Sequence, residues 1–335
     1  MDDVKFMRAA LHEARRGAGR TSPNPAVGAV IVRGGRIIAR GFHRCAGMPH
    51  AEIEAITALK SPRLAGRATL YVTLEPCSTH GRTPPCVDAI LRHGFARVVI
   101  GAIDPNPAHA GRGIGLLRAE GVEVVAGILQ DECRELNAAF NKWIVTGMPF
   151  VIAKAALSLD GRLTRPPGEG QWLSNAASRA DAHRLRASVD AILVGAGTIR
   201  ADNPRLTVRG VAGARQPWRV ILSGRGSLPK DAHIFTDEIR DRTLVFRDRT
   251  LRAVLRDLGR RQINSVLIEG GGTVLGEAID RRLVDRFHIY LAPILCGGPD
   301  AIGGRGAAST ATSLALKNPR YTRIGDDVLM IADAR

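Results

Sequence analysis

The chain has 335 residues, 45% of them apolar and 24% charged, with five cysteines and a formal net charge of +16; that length suits two domains of ordinary size rather than one. It has no apolar run of about eighteen residues or more, no basic-then-apolar leader in MDDVKFMRAALHEARR, and only an odd, scattered set of cysteines; membrane-spanning helices, a secretory signal and a disulfide framework are therefore not expected. The basic excess is 42 arginines against six lysines, spread along the chain without a run of five, which reads as surface charge plus sites for phosphate-bearing small molecules rather than as a nucleic-acid footprint.

Amphipathic spacing predicts a helix over 3–16, with Phe6, Ala10 and Leu11 on one face. The run 23-PNPAVGAVIV-32 starts with two prolines and becomes a buried strand, and Arg36 to Phe42 pairs with it across the Gly34-Gly35 turn. A helix follows from His50, and a strand over 68–76 ends at Pro76. The next helix starts at Pro84-Pro85, where proline suits a first turn. Strand 97–104, a helix over 115–120, strand 122–127 and one helix over 130–147 complete an α/β pattern. Gly147-Met148-Pro149 marks a boundary, giving domains 1–147 and 148–335 of usual size. Alternation then resumes with strand 150–158, helix 176–186 and strands 190–197, 218–223 and 243–246. Helix 250–260, strand 264–272, helix 273–282 and strand 284–295 follow, a second α/β unit.

The densest chemistry lies in 50-HAEIEA-55 and 74-LEPCSTHGRTPPC-86. His50, Cys77 and Cys86 offer one imidazole and two thiolates, the donors zinc prefers, and three protein ligands leave the fourth position open, as catalytic sites do. His50 and Cys86 each head a helix, where the positive dipole end favours thiolate at the cysteine. Glu52 follows the histidine by two and is placed to carry a proton rather than to bind metal. His-x-Glu with Pro-Cys is the signature of zinc deaminases. The signature ends Pro-Cys-x-x-Cys, whereas eight residues separate Cys77 from Cys86 here. His80, inside that spacer, is expected to line the substrate cleft, since a fourth protein ligand would close the open position. Arg82 offers a planar fork for phosphate, or is a solvated loop arginine. Asn24 either pairs with ribose or base groups of a substrate or caps a turn.

HAE, EPC-x8-C containing HGRTPPC, and PNPAVGAVIV together resemble the deaminase half of the bifunctional riboflavin-biosynthesis deaminase/reductase. The runs 154-KAALSLDGR-162, 170-GQWLSN-175, 202-DNPRLTVR-209 and 268-IEGGGTVLG-276 resemble its reductase half. The resemblance spans nearly the whole chain. It implies an N-terminal cytidine-deaminase-like domain, a C-terminal dihydrofolate-reductase-like domain, and Zn2+ and NADPH as cofactors. The substrate it implies is a small phosphoribosylated pyrimidine, 2,5-diamino-6-(5-phosphoribosylamino)pyrimidin-4-one. Deamination at C2 comes first, and hydride transfer to C1 of the sugar then gives the ribityl chain. By the same resemblance His50, Cys77 and Cys86 hold zinc, and Glu52 is the proton carrier. Ala156, Trp172, Thr198, Asp202 and Ser223 face NADPH; Gly170, Arg186, Leu206, Arg209 and Glu269 face substrate.

Residue by residue the second site is less sharp. The run 269-EGGGTVLG-276 follows an apolar strand and opens a helix, so Gly271, Gly272 and Thr273 suit a backbone cradle for cofactor phosphate. Arg186 and Arg209 suit a bidentate phosphate clamp, although Arg186 alone reads as a helix-surface arginine. Trp172 alone reads as core packing. Lys154 either orients or protonates the reacting nitrogen or is a strand-end surface lysine, and Asp160 shapes a turn with Gly161. A cytoplasmic homo-oligomer without nucleic-acid or membrane partners is the expectation. Two rivals are a nucleic-acid base deaminase, against which the long spacer and second domain argue, and a nucleic-acid-binding protein with a structural zinc, which would need a fourth ligand.

Overall fold

A computed structural model describes residues 2–61, 64–79, 84–163, 172–224, 226–297 and 300–334. The chain divides into two compact units, Met1–Gly147 and Met148–Arg335.

The first unit opens with helix α1, Asp3–Arg15, whose N-cap Asp2 accepts the amide of Lys5. Strands β1 (Gly28–Arg33) and β2 (Arg36–Phe42) form the expected hairpin. Helix α2 (Ala51–Thr57), strand β3 (Thr69–Leu74), helix α3 (Cys86–Arg92), strand β4 (Arg97–Ala102), helix α4 (Arg112–Ala119) and strand β5 (Glu123–Ala126) follow. The sheet order is β2-β1-β3-β4-β5, with β1 antiparallel to both neighbours and β3, β4 and β5 parallel. Alternate strand residues point to opposite faces. Ala29, Ile31, Leu70, Val72, Val98 and Ile100 pack with α2, α3 and α4, while Val30, Val32, Tyr71 and Val99 pack with α1. The Tyr71 hydroxyl donates to Asp3, which also takes a fork from Arg97, so α1 is pinned to the sheet by polar as well as apolar contacts.

The single helix expected over 130–147 is two, α5 (Gln130–Leu136) and α6 (Ala138–Thr146). Asn137 breaks it. Its side-chain oxygen accepts the Ala26 amide at 2.8 Å and its amide donates to the Ala26 carbonyl at 3.0 Å. Asparagine competes with helical hydrogen bonding in this way, and the bond pair fixes the backbone two residues past Asn24.

The second unit comprises β6 (Phe150–Ser158), α7 (Ala176–Ser188), β7 (Ala191–Gly195), α8 (Ala196–Asp202), β8 (Trp218–Ser223), α9 (His233–Thr236), β9 (Thr243–Arg247), α10 (Leu251–Arg260), β10 (Ser265–Ile268), α11 (Gly272–Asp280), β11 (Arg286–Ala292), β12 (Leu316–Ile324) and β13 (Asp327–Ala334). Its sheet order is β12-β13-β11-β6-β10-β7-β8-β9, parallel from β11 to β9 and antiparallel in the terminal hairpin. Helix α10 buries Leu251, Val254, Leu255 and Leu258, one helical stripe, against Val151, Val220 and Val266. Fully buried Arg219 is forked onto Asp237 at 2.6 and 2.9 Å, so its charge is paired.

Three expectations change here. The strand expected over 190–197 stops at Gly195, because α8 begins at Ala196. The one expected over 264–272 ends at Ile268, because the following glycines carry the turn into α11. The β12–β13 hairpin is new: β12 exposes nearly every residue on both faces and so carries no apolar alternation to read.

Candidate functional site

In the first unit the candidate ligands come from three elements. His50 is the N-cap of α2, Cys77 lies just beyond β3, and Cys86 is the first residue of α3. Their donor atoms all lie within 4.8 Å of one another. His50 Nδ1 is 3.2 Å from Cys86 Sγ and 3.6 Å from Cys77 Sγ. Tetrahedral zinc with ordinary Zn–S and Zn–N lengths requires ligand separations of about 3.5–3.8 Å, so the donor set fits zinc in chemistry, the Cys77 distance falls in that range and the Cys86 distance is just short of it. The Cys86 amide donates to Cys77 Sγ and the Val87 amide to the Cys77 carbonyl, so the orphan N–H groups of α3 hold Cys77 in place. The hydrogen bond from the Cys86 side chain, with His50 and the Cys86 amide adding to it, keeps the Cys77 thiol well below its usual value, and burial opposes this.

Glu52 is 3% exposed in the first turn of α2. Burial pushes its carboxyl up to about 7, with His50 opposing and Cys77 adding to the rise. A carboxyl balanced near neutrality both accepts and returns a proton. Beside His50 stands a residue that the sequence reading passed over. Buried His43 sets its ring edge-on to His50 at 5.3 Å, contacts the Pro49 carbonyl through Nδ1 at 3.0 Å, and meets Asn24 Nδ2 through Nε2 at 3.1 Å. Asn24 is thereby drawn to the metal-ligand cluster. No spacing rule would have found His43, which follows strand β2 outside any motif.

Glu75 of the Glu-Pro-Cys run was also missed. Buried, it accepts the amides of Asp104, Gly111 and Ile114. A Cβ on Gly113 would meet the Pro76 carbonyl at 2.3 Å, so only glycine lets this segment close over the strand end that carries Cys77. Of the expected substrate contacts, Arg82, with His80, lies outside the described residues, and so does Gly170.

In the second unit several expected residues lie at or just past the carboxyl ends of the parallel strands, where open α/β sheets bind ligands, and Lys154, within β6, is level with the end of β10. Lys154 and Ala156 are on β6, Ser223 ends β8, and Glu269 follows β10. Thr198 and Asp202 are on α8, and Gly271 is the N-cap of α11, ahead of Gly272 and Thr273. Leu206 and Arg209 lie between α8 and β8. Gly271 N–H donates to Thr198 Oγ1 at 3.3 Å, linking the two expected cofactor segments. The glycines differ. A Cβ on Gly271 would meet only Thr198 Oγ1 at 3.7 Å, whereas on Gly272 it would meet the Ala301 carbonyl at 2.7 Å and on Gly276 the Gly303 carbonyl carbon at 2.3 Å. Gly271 keeps its Cα open to a ligand; Gly272 and Gly276 are needed for packing.

Arg186 is not a surface arginine. Its Nε and Nη2 close on the Glu269 carboxylate at 2.8 and 2.7 Å, and Nη1 donates to the Thr207 carbonyl at 3.1 Å. The clamp expected of it is thus made on a protein carboxylate. Burial raises the Glu269 carboxyl, but Arg186 and Lys154 outweigh it and hold the carboxyl below its ordinary value. Lys154 is mid-strand, not at a strand end. Burial lowers the pKa of its amine, Glu269 opposes this, and Nζ sits 5.7 Å over the Tyr290 ring. Arg209 stays close to Arg186 through Thr207, whose hydroxyl accepts from its guanidinium. Trp172 is 55% exposed beside Arg179, which replaces the core-packing reading.

Comparison with known proteins covers both units. Residues 149–330 match the RibD C-terminal domain, and residues 1–102 match the cytidine and deoxycytidylate deaminase zinc-binding region. A riboflavin biosynthesis protein RibD from Bacillus amyloliquefaciens is 42% identical over 98% of this chain and 95% of its own. The solved structure of Acinetobacter baumannii RibD superposes with a TM-score of 0.91 at 36% identity, covering 99% of both chains. A Thermotoga maritima structure, described as a diaminohydroxyphosphoribosylaminopyrimidine deaminase/5-amino-6-(5-phosphoribosylamino)uracil reductase, gives 0.90 at 36% identity and the same coverage.

Proposed function

The chain belongs to the RibD family of riboflavin-biosynthesis proteins, and from that membership we propose that it deaminates 2,5-diamino-6-(5-phosphoribosylamino)pyrimidin-4-one and then reduces the ribosyl chain to ribityl. The N-terminal unit is cytidine-deaminase-like and the C-terminal unit dihydrofolate-reductase-like. The observation that carries the reading is the His50, Cys77 and Cys86 cluster with buried Glu52 against it.

In the first unit His50, Cys77 and Cys86 hold zinc, which supplies Lewis-acid activation of water. Glu52 takes up the proton that water loses and returns it to the departing amine, so the C2 amino group leaves as ammonia and a carbonyl replaces it. Asn24, steadied by His43, faces the polar edge of the substrate. In the second unit NADPH supplies hydride. The open N-terminus of α11, with Gly271 and Thr198, receives cofactor phosphate. Lys154 gives a proton to the sugar nitrogen as C1 is reduced, its desolvated amine releasing that proton more readily. The Arg186–Glu269 pair fixes the carboxylate beside it for the substrate.

The test is Glu52→Gln in the zinc-loaded protein. Zinc content should stay near one per chain and deamination should fall about a hundredfold or more. Reduction of already deaminated substrate by NADPH should stay at the wild-type rate. Full deamination by this variant would sink the reading.

A further inference from the structure

Asp160 does more than shape its own turn. The turn itself is simple: Gly161, at φ +77°, donates its amide to the Ser158 carbonyl. The Asp160 carboxylate, however, is spent on a segment more than a hundred residues away in the chain. Oδ1 accepts the Ser158 hydroxyl at 2.6 Å and the Cys296 amide at 3.0 Å, and Oδ2 accepts the Gly297 amide at 2.7 Å. Two consecutive amides beyond β11 thus converge on one carboxylate at the end of β6. Backbone bonds run alongside, from the Leu159 amide to the Ile294 carbonyl and from the Ala301 amide to the Gly161 carbonyl.

The segment so held leads to the glycine run. Gly303 donates its amide to the Gly272 carbonyl at 3.1 Å. Ala301, 2% exposed, and Gly303 form the surface against which Gly272 and Gly276 lie too close to carry a Cβ. Contacts therefore run from Asp160 to 296–297, from the adjoining Gly161 to Ala301, and from 301–303 to the first turn of α11.

We infer that Asp160 is a positioning residue for NADPH: by gripping the Cys296 and Gly297 amides, while the adjoining Gly161 carbonyl holds the Ala301 amide, it seats the 301–303 backbone under α11, and so fixes the direction of the first-turn amides that follow Gly271, whose own N–H is taken by Thr198. The inference rests on the reading of that helix N-terminus as the cofactor cradle. The hydrogen bonds from Ser158, Cys296 and Gly297 keep the Asp160 carboxyl well below the usual carboxylate range, so the acceptor is fully charged under working conditions. An amide cannot replace it. Whichever way an asparagine is turned, its NH2 faces one of the two backbone N–H donors, and a donor facing a donor is lost to both.

The test uses the full zinc-loaded chain carrying Cys45→Ser, which leaves Cys296 as the partly exposed thiol outside the metal site. Asp160→Asn should raise KM for NADPH roughly tenfold or more, as loss of a charged hydrogen bond implies. Reductase kcat at saturating NADPH should change by less than about twofold, and deamination not at all. Thiol reagent should label Cys296 faster in the variant, and NADPH should slow that labelling in the parent protein. Ser158→Ala, which deletes the hydroxyl that donates to Asp160 and accepts the Arg162 amide but keeps the carboxylate, should show the same pattern at a few-fold. Wild-type KM and labelling in Asp160→Asn, or a fall in kcat with KM unchanged, would overturn the positioning role. Gly271→Val separates the two ideas: if it leaves NADPH binding intact, the cradle reading itself fails, whereas weakened binding in Gly271→Val with none in Asp160→Asn removes only Asp160.

Discussion

In the N-terminal unit the metal ligands and Glu52 lie between His50 and Cys86, and three side-chain atoms meet within 4.8 Å. In the C-terminal unit they come from β6, α7, the α8 and 203–209 segments, the end of β10 and the start of α11, and several act through backbone. A metal ion demands particular donor atoms, so it leaves particular residue letters at short spacings. A phosphate can be met by backbone N–H groups, which any residue owns, and so leaves only a preference for glycine. The difference between the two units is therefore one of legibility as well as of chemistry.

The largest expected effect tests whether the two sites are as separate as this contrast implies. Cys86→Ser should remove zinc and lower deamination more than a hundredfold, since loss of a ligand exceeds the effect of its hydrogen-bonding partners. NADPH-dependent reduction should stay within about twofold. If reduction falls in step with zinc content, the contrast is broken and the two sites work as one.

Next in size is an acid sensitivity of the C-terminal unit. Burial depresses the pKa of His288, on β11, to about 4, with Arg286 and Arg320 adding to the fall and Asp181 and Asp333 opposing it. Between that value and the ordinary histidine value near 6.5 the unfolded chain binds the extra proton. The neutral imidazole's contribution is therefore present above about pH 6.5 and lost as pH falls through about 4, on the order of 3 kcal/mol in all. Urea unfolding of the C-terminal unit should weaken from pH 7 to pH 4, and His288→Gln should flatten much of that slope. An unchanged slope in the variant would assign the acid response elsewhere.

The smallest effect sharpens the view that the first site also has a backbone part. Glu75→Gln should cost about 1–3 kcal/mol, because an amide NH2 replaces an acceptor of buried N–H groups. Zinc should remain bound while KM for the pyrimidine rises, as the segment 104–114 loses its anchor beside Cys77. A variant with wild-type stability and KM would leave Glu75 without a role.

The main alternation of strands and helices was legible as far as β11, short helices α8 and α9 apart, because sheets buried on both faces write apolar runs and their covering helices write stripes. What escaped has identifiable causes. Asn137 reads as one more residue in a helical stretch, and only its bonds to Ala26 show why the helix stops there. Strand β12 lies open on both faces, so it has no alternation to display. At the first site the ligands and Glu52 stood out by spacing, while His43 and Glu75 act through contacts that only the fold creates. At the second, Glu269 and Arg186 were both suspected as substrate contacts, yet nothing in the letters showed that they close on each other across α7 and β10.

The order of strands in the two sheets also differs in what it asks of a chain leaving the ribosome. In the first unit β1 gains β2 at once, and each later strand joins an edge that already exists. In the second, β6 is made first yet lies between β11 and β10, so its neighbours arrive only with Ser265–Ile268 and Arg286–Ala292. Throughout that interval Phe150–Ser158, an apolar strand destined for the middle of the sheet, has neither edge paired. Unpaired apolar strands are the segments that aggregate and that holding chaperones bind. The cost of placing Lys154 at the centre of the sheet is therefore met during synthesis, by whatever keeps its strand apart until the last third of the chain has been made.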